Sequence, residues 1–217
     1  MTHLVLASRS PARLMVLRNA GVEPTVLVSH VDEDAIAAAM PEATPAELAL
    51  RLAQEKARVV ASGLVLESGL TAADSRDVVV VGCDSVFDLD GTAFGKPADA
   101  TQAKERWKLM ANRSGVLRTG HWLIHPATGR EIGDVTSTTV HLGSMTDAEM
   151  DAYLATGEPL EVAGGFTLDG LGGAFVEGVE GDPSNVVGIS LPGLRSLLGS
   201  WGISWTDLWE TAPCTKS

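Results

Sequence analysis

Asp84 directly follows the apolar run Val78-Val79-Val80-Val81-Gly82-Cys83. A carboxylate at the exit of a buried strand can bind Mg²⁺ or Mn²⁺ through hard oxygen, or take a proton from an attacking water. Open α/β sheets place their ligand crevices at such strand ends; the competing role is a turn aspartate that caps backbone N–H groups. A second set is Ser8-Arg9-Ser10-Pro11-Ala12-Arg13, between the short apolar run Leu4 to Ala7 and a helical pattern that stops at Gly21. Ser10 reads as N-cap and Pro11 as the first helical residue, so free N–H groups and the helix dipole attract an anion there. Arg9 and Arg13 in the first turn oppose that dipole. An anionic ligand removes the conflict; a plain capped helix with solvated arginines is the alternative.

Lys56 is the third candidate. At about 100° per residue, Leu48, Ala49, Leu52, Ala53 and Val60 share one helical arc, and Lys56 falls near its centre, opposite Glu47, Arg51, Gln54, Glu55 and Arg58. A lysine that faces inward snorkels, forms a structural ion pair, or binds an anion such as phosphate.

The elements that must position these residues follow from local signals. Thr44-Pro45-Ala46-Glu47 is a capping box with proline at the first helical position and opens a helix to about Gly63. Residues 78–82 predict a strand covered on both faces, with Asp84 just past its end. Asp90-Gly91 between residues 86–89 and 92–95 predicts a hairpin, and Asp99 with Gln102 caps a helix from about Ala100 to Asn112. A second hairpin joins 116–124 to 135–142 across Pro126 to Gly129, and Thr146 with Glu149 caps a helix ended by Gly157. Glycines break 160–176 into strand and tight loop, and Pro192 opens a last short helix. Interleaved strands and helices predict an α/β or α+β fold, with one domain over 1–203 and a C-terminal tail over 204–217.

Composition narrows the function. Sixteen Lys and Arg against twenty-eight Asp and Glu give a formal charge of −12, which repels a nucleic-acid backbone. Phosphate binding must therefore rest on a few local cations. Two cysteines, Cys83 and Cys214, draw no disulfide or zinc framework, and no apolar stretch is long enough to span a membrane; a cytoplasmic location is expected. Cys83 reads as core, the five histidines show no metal-binding spacing, and Trp201, Trp205 and Trp209 read as tail packing. Asp88-Leu89-Asp90-Gly91-Thr92 matches the signature of haloacid-dehalogenase-type phosphatases, in which Asp88 would be the nucleophile. It lies far from the start of the chain and Gly181-Asp182-Pro183 offers no partner aspartate, so the hairpin accounts for it better.

Taken together, Leu6 to Arg13, Glu33, Glu55-Lys56-Ala57, Gly82-Cys83-Asp84-Ser85, Gly95-Lys96-Pro97 and Gly181-Asp182 to Val187-Gly188 resemble the Maf family of nucleoside triphosphate pyrophosphatases across about residues 4–200. The resemblance implies a single elongated α/β domain, a twisted mixed β-sheet flanked by helices with a central cleft, shaped like inosine triphosphate pyrophosphatases. It also implies a homodimer, a divalent cation (Mg²⁺ or Mn²⁺) and a nucleoside triphosphate cleaved to monophosphate and diphosphate. By the same resemblance Asp84 is general base or metal ligand, Glu33 a second metal carboxylate, and Ser8, Arg13, Lys56 and Lys96 hold the triphosphate. Ala12 stands where many relatives carry Arg, which leaves the first-turn grip weaker or passes it to Arg9. Asp169 stands where dTTP- and UTP-selective members carry Gln; as an acceptor only, it is expected to admit bases that present amino donors. A nucleotide-binding regulator of septum formation that does not turn over its ligand is the competing function.

Overall fold

The computed structural model describes residues 2–67 and 78–209. Strands β1 (His3–Ala7), β2 (Thr25–Val26), β3 (Val78–Leu89), β4 (Thr92–Phe94), β5 (Ser114–His125), β6 (Arg130–Leu142) and β7 (Val176–Glu180) form one mixed sheet in the order β2-β1-β3-β5-β6-β7, with β4 also on β3. Strand β1 is parallel to β2 and β3, and all other pairings are antiparallel. The helices are α1 (Pro11–Asn19), α2 (Glu33–Ala38), α3 (Pro45–Glu67), α4 (Ala100–Met110), α5 (Asp147–Ala155), α6 (Pro183–Val187) and α7 (Leu191–Ser200). This is the expected α/β domain with helices flanking a mixed sheet.

Side-chain alternation sorts the core. Val80 faces a cluster with Val5, Ala7, Ala57, Val60 and Ala61, so α3 covers that side of the sheet. Val79, Val81 and Cys83 face the other side and pack with Leu17 of α1 and Leu194, Leu197 and Leu198 of α7. Farther along the same side, Phe87 and Leu89 meet a second cluster around Trp107, Met110, Met150 and Tyr153 of α4 and α5. Ser85 stands between these two apolar clusters, at the start of a polar seam.

The capping signals hold. Thr44 accepts from the Glu47 N–H at 3.3 Å while the Glu47 carboxylate takes the Thr44 N–H at 2.9 Å, Asp99 accepts from the Gln102 N–H at 2.8 Å, and Thr146 with Glu149 forms a full capping box. Asp90 and Gly91 both take positive φ, 53° and 84°, the two-residue turn whose twist suits a hairpin. Asp88 belongs to that hairpin: it accepts from the Gly91 N–H at 2.9 Å and from Arg118 at 3.1 and 3.2 Å.

Several expectations need correction. Strand β3 runs on through Asp84 to Leu89, paired with β5 from Val80 to Asp88, so Asp84 is mid-strand rather than past the end. The strand that does stop is β1: Ala7 pairs with Gly82, and β4 joins only at Phe87. Cys83 to Val86 therefore line a notch in the sheet between β1 and β4. The hairpin of β5 and β6 is longer than predicted, and α3 continues past Gly63. The short helices α2 and α6 carry too few residues for a periodic signal. Residues 158–175 hold no strand but three short 3₁₀ segments, Glu158–Glu161, Ala163–Gly165 and Leu171–Phe175, and the strand comes after them as β7. Positive φ at Gly164 and Gly165, both 73°, excludes an extended run there. The buried indole of Trp107 donates to the Gly165 carbonyl at 2.7 Å and meets Tyr153 and Phe175 edge-on, which pins this loop by aromatic contacts worth about 1 kcal/mol each. Toward the end of the described residues Trp201 and Trp205 pack against the α7 cluster as expected, while Trp209, half exposed, donates its indole N–H to the Ala20 carbonyl at 3.1 Å.

Candidate active site

Lys56 reaches the sheet because two glycines let α3 press on it. Gly82, and Gly120 opposite Asp84, share the face that α3 covers. A Cβ on Gly82 would lie 2.0 Å from the Ala53 carbonyl oxygen, and one on Gly120 would lie 2.4 Å from that of Ala49. Under that close helix the Lys56 ammonium forms an ion pair with Asp84 and a second with Glu33 at 2.8 Å. Lys56 and Asp84 are each 7% exposed, while the Glu33 side chain keeps 47% of its surface. Glu33 opens α2, whose cap is Asp32, accepting from the Ala35 N–H at 2.9 Å.

From the other side of the notch comes Arg13. Ser10 caps α1, accepting the Arg13 N–H at 3.4 Å, and Arg13 turns inward, leaving the residue 8% exposed. Its Nε donates to the Gly188 carbonyl at 2.8 Å, Nη1 to the Ser8 hydroxyl at 3.0 Å and Nη2 to the Ser85 hydroxyl at 3.1 Å. Ser85 bonds in turn to Thr119 at 3.0 Å. Every one of these acceptors is neutral, and among the described residues no carboxylate lies within ion-pair distance of Arg13. Asp84 and Glu33 reach Arg13 only as longer-range charges, and a buried cation without a directly paired carboxylate marks this position for an anion from outside the chain.

The field of the cluster separates its two carboxylates. Burial pushes the Asp84 carboxyl above its usual range, against the opposing charges of Lys56 and Arg13, while Glu33 adds to the rise. Glu33 is raised by its own partial burial, but the Lys56 ammonium, with Arg13 and Lys96, outweighs this and holds it below its ordinary value. Asp84 is thus the more basic oxygen and Glu33 the more permanent anion. Cys83 is pushed up to about 11 by burial, an inert thiol as its sequence context predicts.

The structure therefore brings together Ser8, Arg13, Glu33, Lys56 and Asp84. Ser8 serves the cluster by orienting Arg13. Lys96 is more remote: its side chain is 55% exposed and lies 3.5 Å from Glu161, although its charge reaches Glu33. Asp169 is exposed on its loop and has no bond to the cluster; Arg9 is likewise exposed. The residues that sequence reasoning missed are Thr119, Asn185 and His121, which is buried on β5 opposite Cys83. The Asn185 amide, wholly buried, donates to the Leu117 carbonyl at 3.1 Å and to the Thr138 hydroxyl at 3.0 Å, which ties α6 to β5 and β6. Polar residues inside the otherwise apolar alternation of β5 and β6 are the only signal that could have found this seam.

The donor set fits a divalent metal. Two carboxylates converge on one ammonium, so a cation is already accommodated between them, and Mg²⁺ is commonly held by one or two carboxylates with phosphate and water completing its shell. Among the described residues no group of three or more His, Cys, Asp or Glu could enclose a metal alone, so Glu33 and Asp84 would supply only part of its coordination. Glu33, Asp84, Lys56 and Arg13 cancel in formal charge, so the cluster itself carries no surplus positive charge.

Comparison with known proteins places these features in context. The family model described as Maf-like protein matches residues 3–201. A protein of Streptomyces coelicolor named nucleoside triphosphate pyrophosphatase is 53% identical over 96% of this chain and 95% of its own length. Proteins of the same name from Rhodococcus erythropolis and Mycobacterium ulcerans are 52% and 50% identical, over 97% and 98% of this chain and 98% and 99% of their own.

Proposed function

This chain belongs to the Maf-like protein family, and from that premise we propose that it hydrolyses nucleoside triphosphates to monophosphate and pyrophosphate at the notch between β1 and β4. The observation that carries this reading is the buried Arg13 guanidinium, hydrogen-bonded only to neutral acceptors and set across from the Asp84 and Glu33 carboxylates. A site built for a neutral ligand would have no use for such a cation.

In this reading Arg13 and Lys56 hold phosphate oxygens by charge-assisted hydrogen bonds, and Lys96 swings from Glu161 to the distal phosphates. Glu33 and Asp84 would hold a divalent cation, which when bound would supply positive charge to the phosphate oxygens and acidify water. As general base, the first of its two possible roles, Asp84 accepts the proton of the attacking water, whose oxygen bonds to the α-phosphorus as the bond to the bridging oxygen breaks; as metal ligand it would instead help hold the cation. Pyrophosphate leaves with that bridging oxygen, its charge met by Lys56 and Lys96. No covalent intermediate is needed. A homodimer and a cytoplasmic location belong to the same proposal; among the described residues no helix is long and apolar enough to cross a membrane.

A panel of nucleoside triphosphates with Mg²⁺ or Mn²⁺ tests the proposal. One pyrophosphate per triphosphate consumed is expected, with little action on monophosphates and loss of turnover in chelator. Orthophosphate as the first product contradicts it, and tight nucleotide binding without turnover favours the regulatory function instead.

A further inference from the structure

Besides the inert Cys83 thiol, the mechanism above leaves the buried titratable side chain of His121, close to Arg13, unused. His121, on β5 opposite Cys83, is 1% exposed, and its Nε2 accepts the Ser190 N–H at 2.9 Å. An acceptor Nε2 fixes the proton on Nδ1, which suits its backbone hydrogen bond with Thr119. Burial, with the nearby positive charge of Arg13, pushes the imidazole down to about 4, so the ring is a neutral acceptor over the working range of pH.

What this acceptor holds is the chain that leaves α6. Asn185 fixes α6 itself, and the Gly188 N–H closes back on the Asn185 carbonyl at 2.9 Å. Gly188 then leaves the helix at φ 126°, a conformation side-chain-bearing residues rarely adopt. From that point the Ile189 N–H bonds back to the Ser184 carbonyl at 3.3 Å, and the next anchor, the first outside α6, is the Ser190 N–H on His121. Between the two anchors lies the Gly188 carbonyl, which accepts from Arg13 Nε at 2.8 Å and from the Cys83 thiol at 3.2 Å.

We propose that His121 is a positioning residue for Arg13, acting through the Gly188–Ser190 turn to aim the guanidinium at the phosphate-binding notch. The proposal rests on Arg13 being a phosphate ligand. Remove the acceptor and the buried Ser190 N–H is left without its partner, the Gly188–Ile189 peptide is held on its N–H side by the 3.3 Å bond from Ile189 to the Ser184 carbonyl alone, and the Gly188 carbonyl that receives Arg13 Nε can shift.

The test is a double-mutant cycle read by calorimetric binding of inorganic pyrophosphate in Mg²⁺ and by kcat/KM for triphosphate. His121→Leu is expected to weaken both by about tenfold, the scale of one misaligned charge-assisted hydrogen bond. His121→Gln, whose side-chain oxygen can accept from Ser190, is expected to restore most of the loss. In an Arg13→Ala background His121→Leu is expected to cost nothing further. Pyrophosphate affinity unchanged by His121→Leu, an undiminished loss in the Arg13→Ala background, or no recovery with His121→Gln in a protein that melts like wild type overturns the proposal. Should His121→Leu fail to fold, His121→Gln against the shorter His121→Asn decides, with pyrophosphate affinity equal in both as the contrary result. If pyrophosphate binding shows the coupling but wild type turns over no triphosphate, the catalytic reading falls and the positioning role stands.

Discussion

Asp84→Asn is expected to abolish turnover while leaving the fold intact. The amide keeps the shape of the carboxylate but neither takes a proton nor serves as a charged metal ligand, and a general base alone contributes about 10²–10⁴ in rate, so kcat should fall by at least about 10³ once the metal role is included. The Asp88→Asn control should stay close to wild type, because Asp88 serves Gly91 and Arg118 in the hairpin; loss of all activity there would support the phosphatase alternative. The pH dependence is a second readout. Since burial raises the Asp84 carboxyl, the acid limb of kcat/KM should lie above the ordinary aspartate range, and Lys56→Ala, by removing the charge that opposes the rise, should move it higher. The sign for stability follows: with the folded value above the unfolded one, ionising Asp84 lowers stability as pH rises through that window, and Asp84→Asn should flatten the profile there. An Asp84→Asn protein that retains near wild-type kcat removes Asp84 from the chemistry.

Gly82→Ala is expected to damage stability and activity together. A Cβ at this position would stand 2.0 Å from the Ala53 carbonyl oxygen and 2.7 Å from the Ala57 nitrogen, both backbone atoms of α3 that no rotamer change can move. The helix must lift, at a cost of about 3 kcal/mol, or a fall in Tm of about 6–12 °C for a chain of this size. Lifting α3 also carries Lys56 away from Asp84, so activity should drop even at temperatures where the variant is folded. The contrast is Gly63→Ala in the same helix, where an added Cβ meets nothing within 4 Å, and where the better helix former should stabilise by about 0.5–1 kcal/mol. Equal melting temperatures for Gly82→Ala and wild type would show that the helix does not need this close approach.

How far the sequence carried can be judged from these same residues. Lys56 was legible because its position on the helical arc is arithmetic, and Arg13 because a cation in a first helical turn conflicts with the dipole. Caps and the Asp90-Gly91 turn were legible because they are local chemistry. The notch was not: it arises where β1 stops opposite Gly82 while β3 continues, and nothing in either strand's own pattern announces the other's length. Asp84 was consequently placed past a strand end that belongs to its neighbour. The role of Gly82 and Gly120 as a seat for α3 was hidden for the same reason, since a glycine in a strand does not name what approaches it. His121 and Asn185 were illegible because their partners, Ser190, Leu117 and Thr138, lie 47 or more positions away.

The central claim is that water attacks the α-phosphorus of a triphosphate held between Arg13 and the Asp84 carboxylate. Hydrolysis in ¹⁸O-labelled water, with mass analysis of both products, tests it most directly. The label should appear in the nucleoside monophosphate, with unlabelled pyrophosphate released in equal amount; label in pyrophosphate, or in orthophosphate released first, would contradict the account.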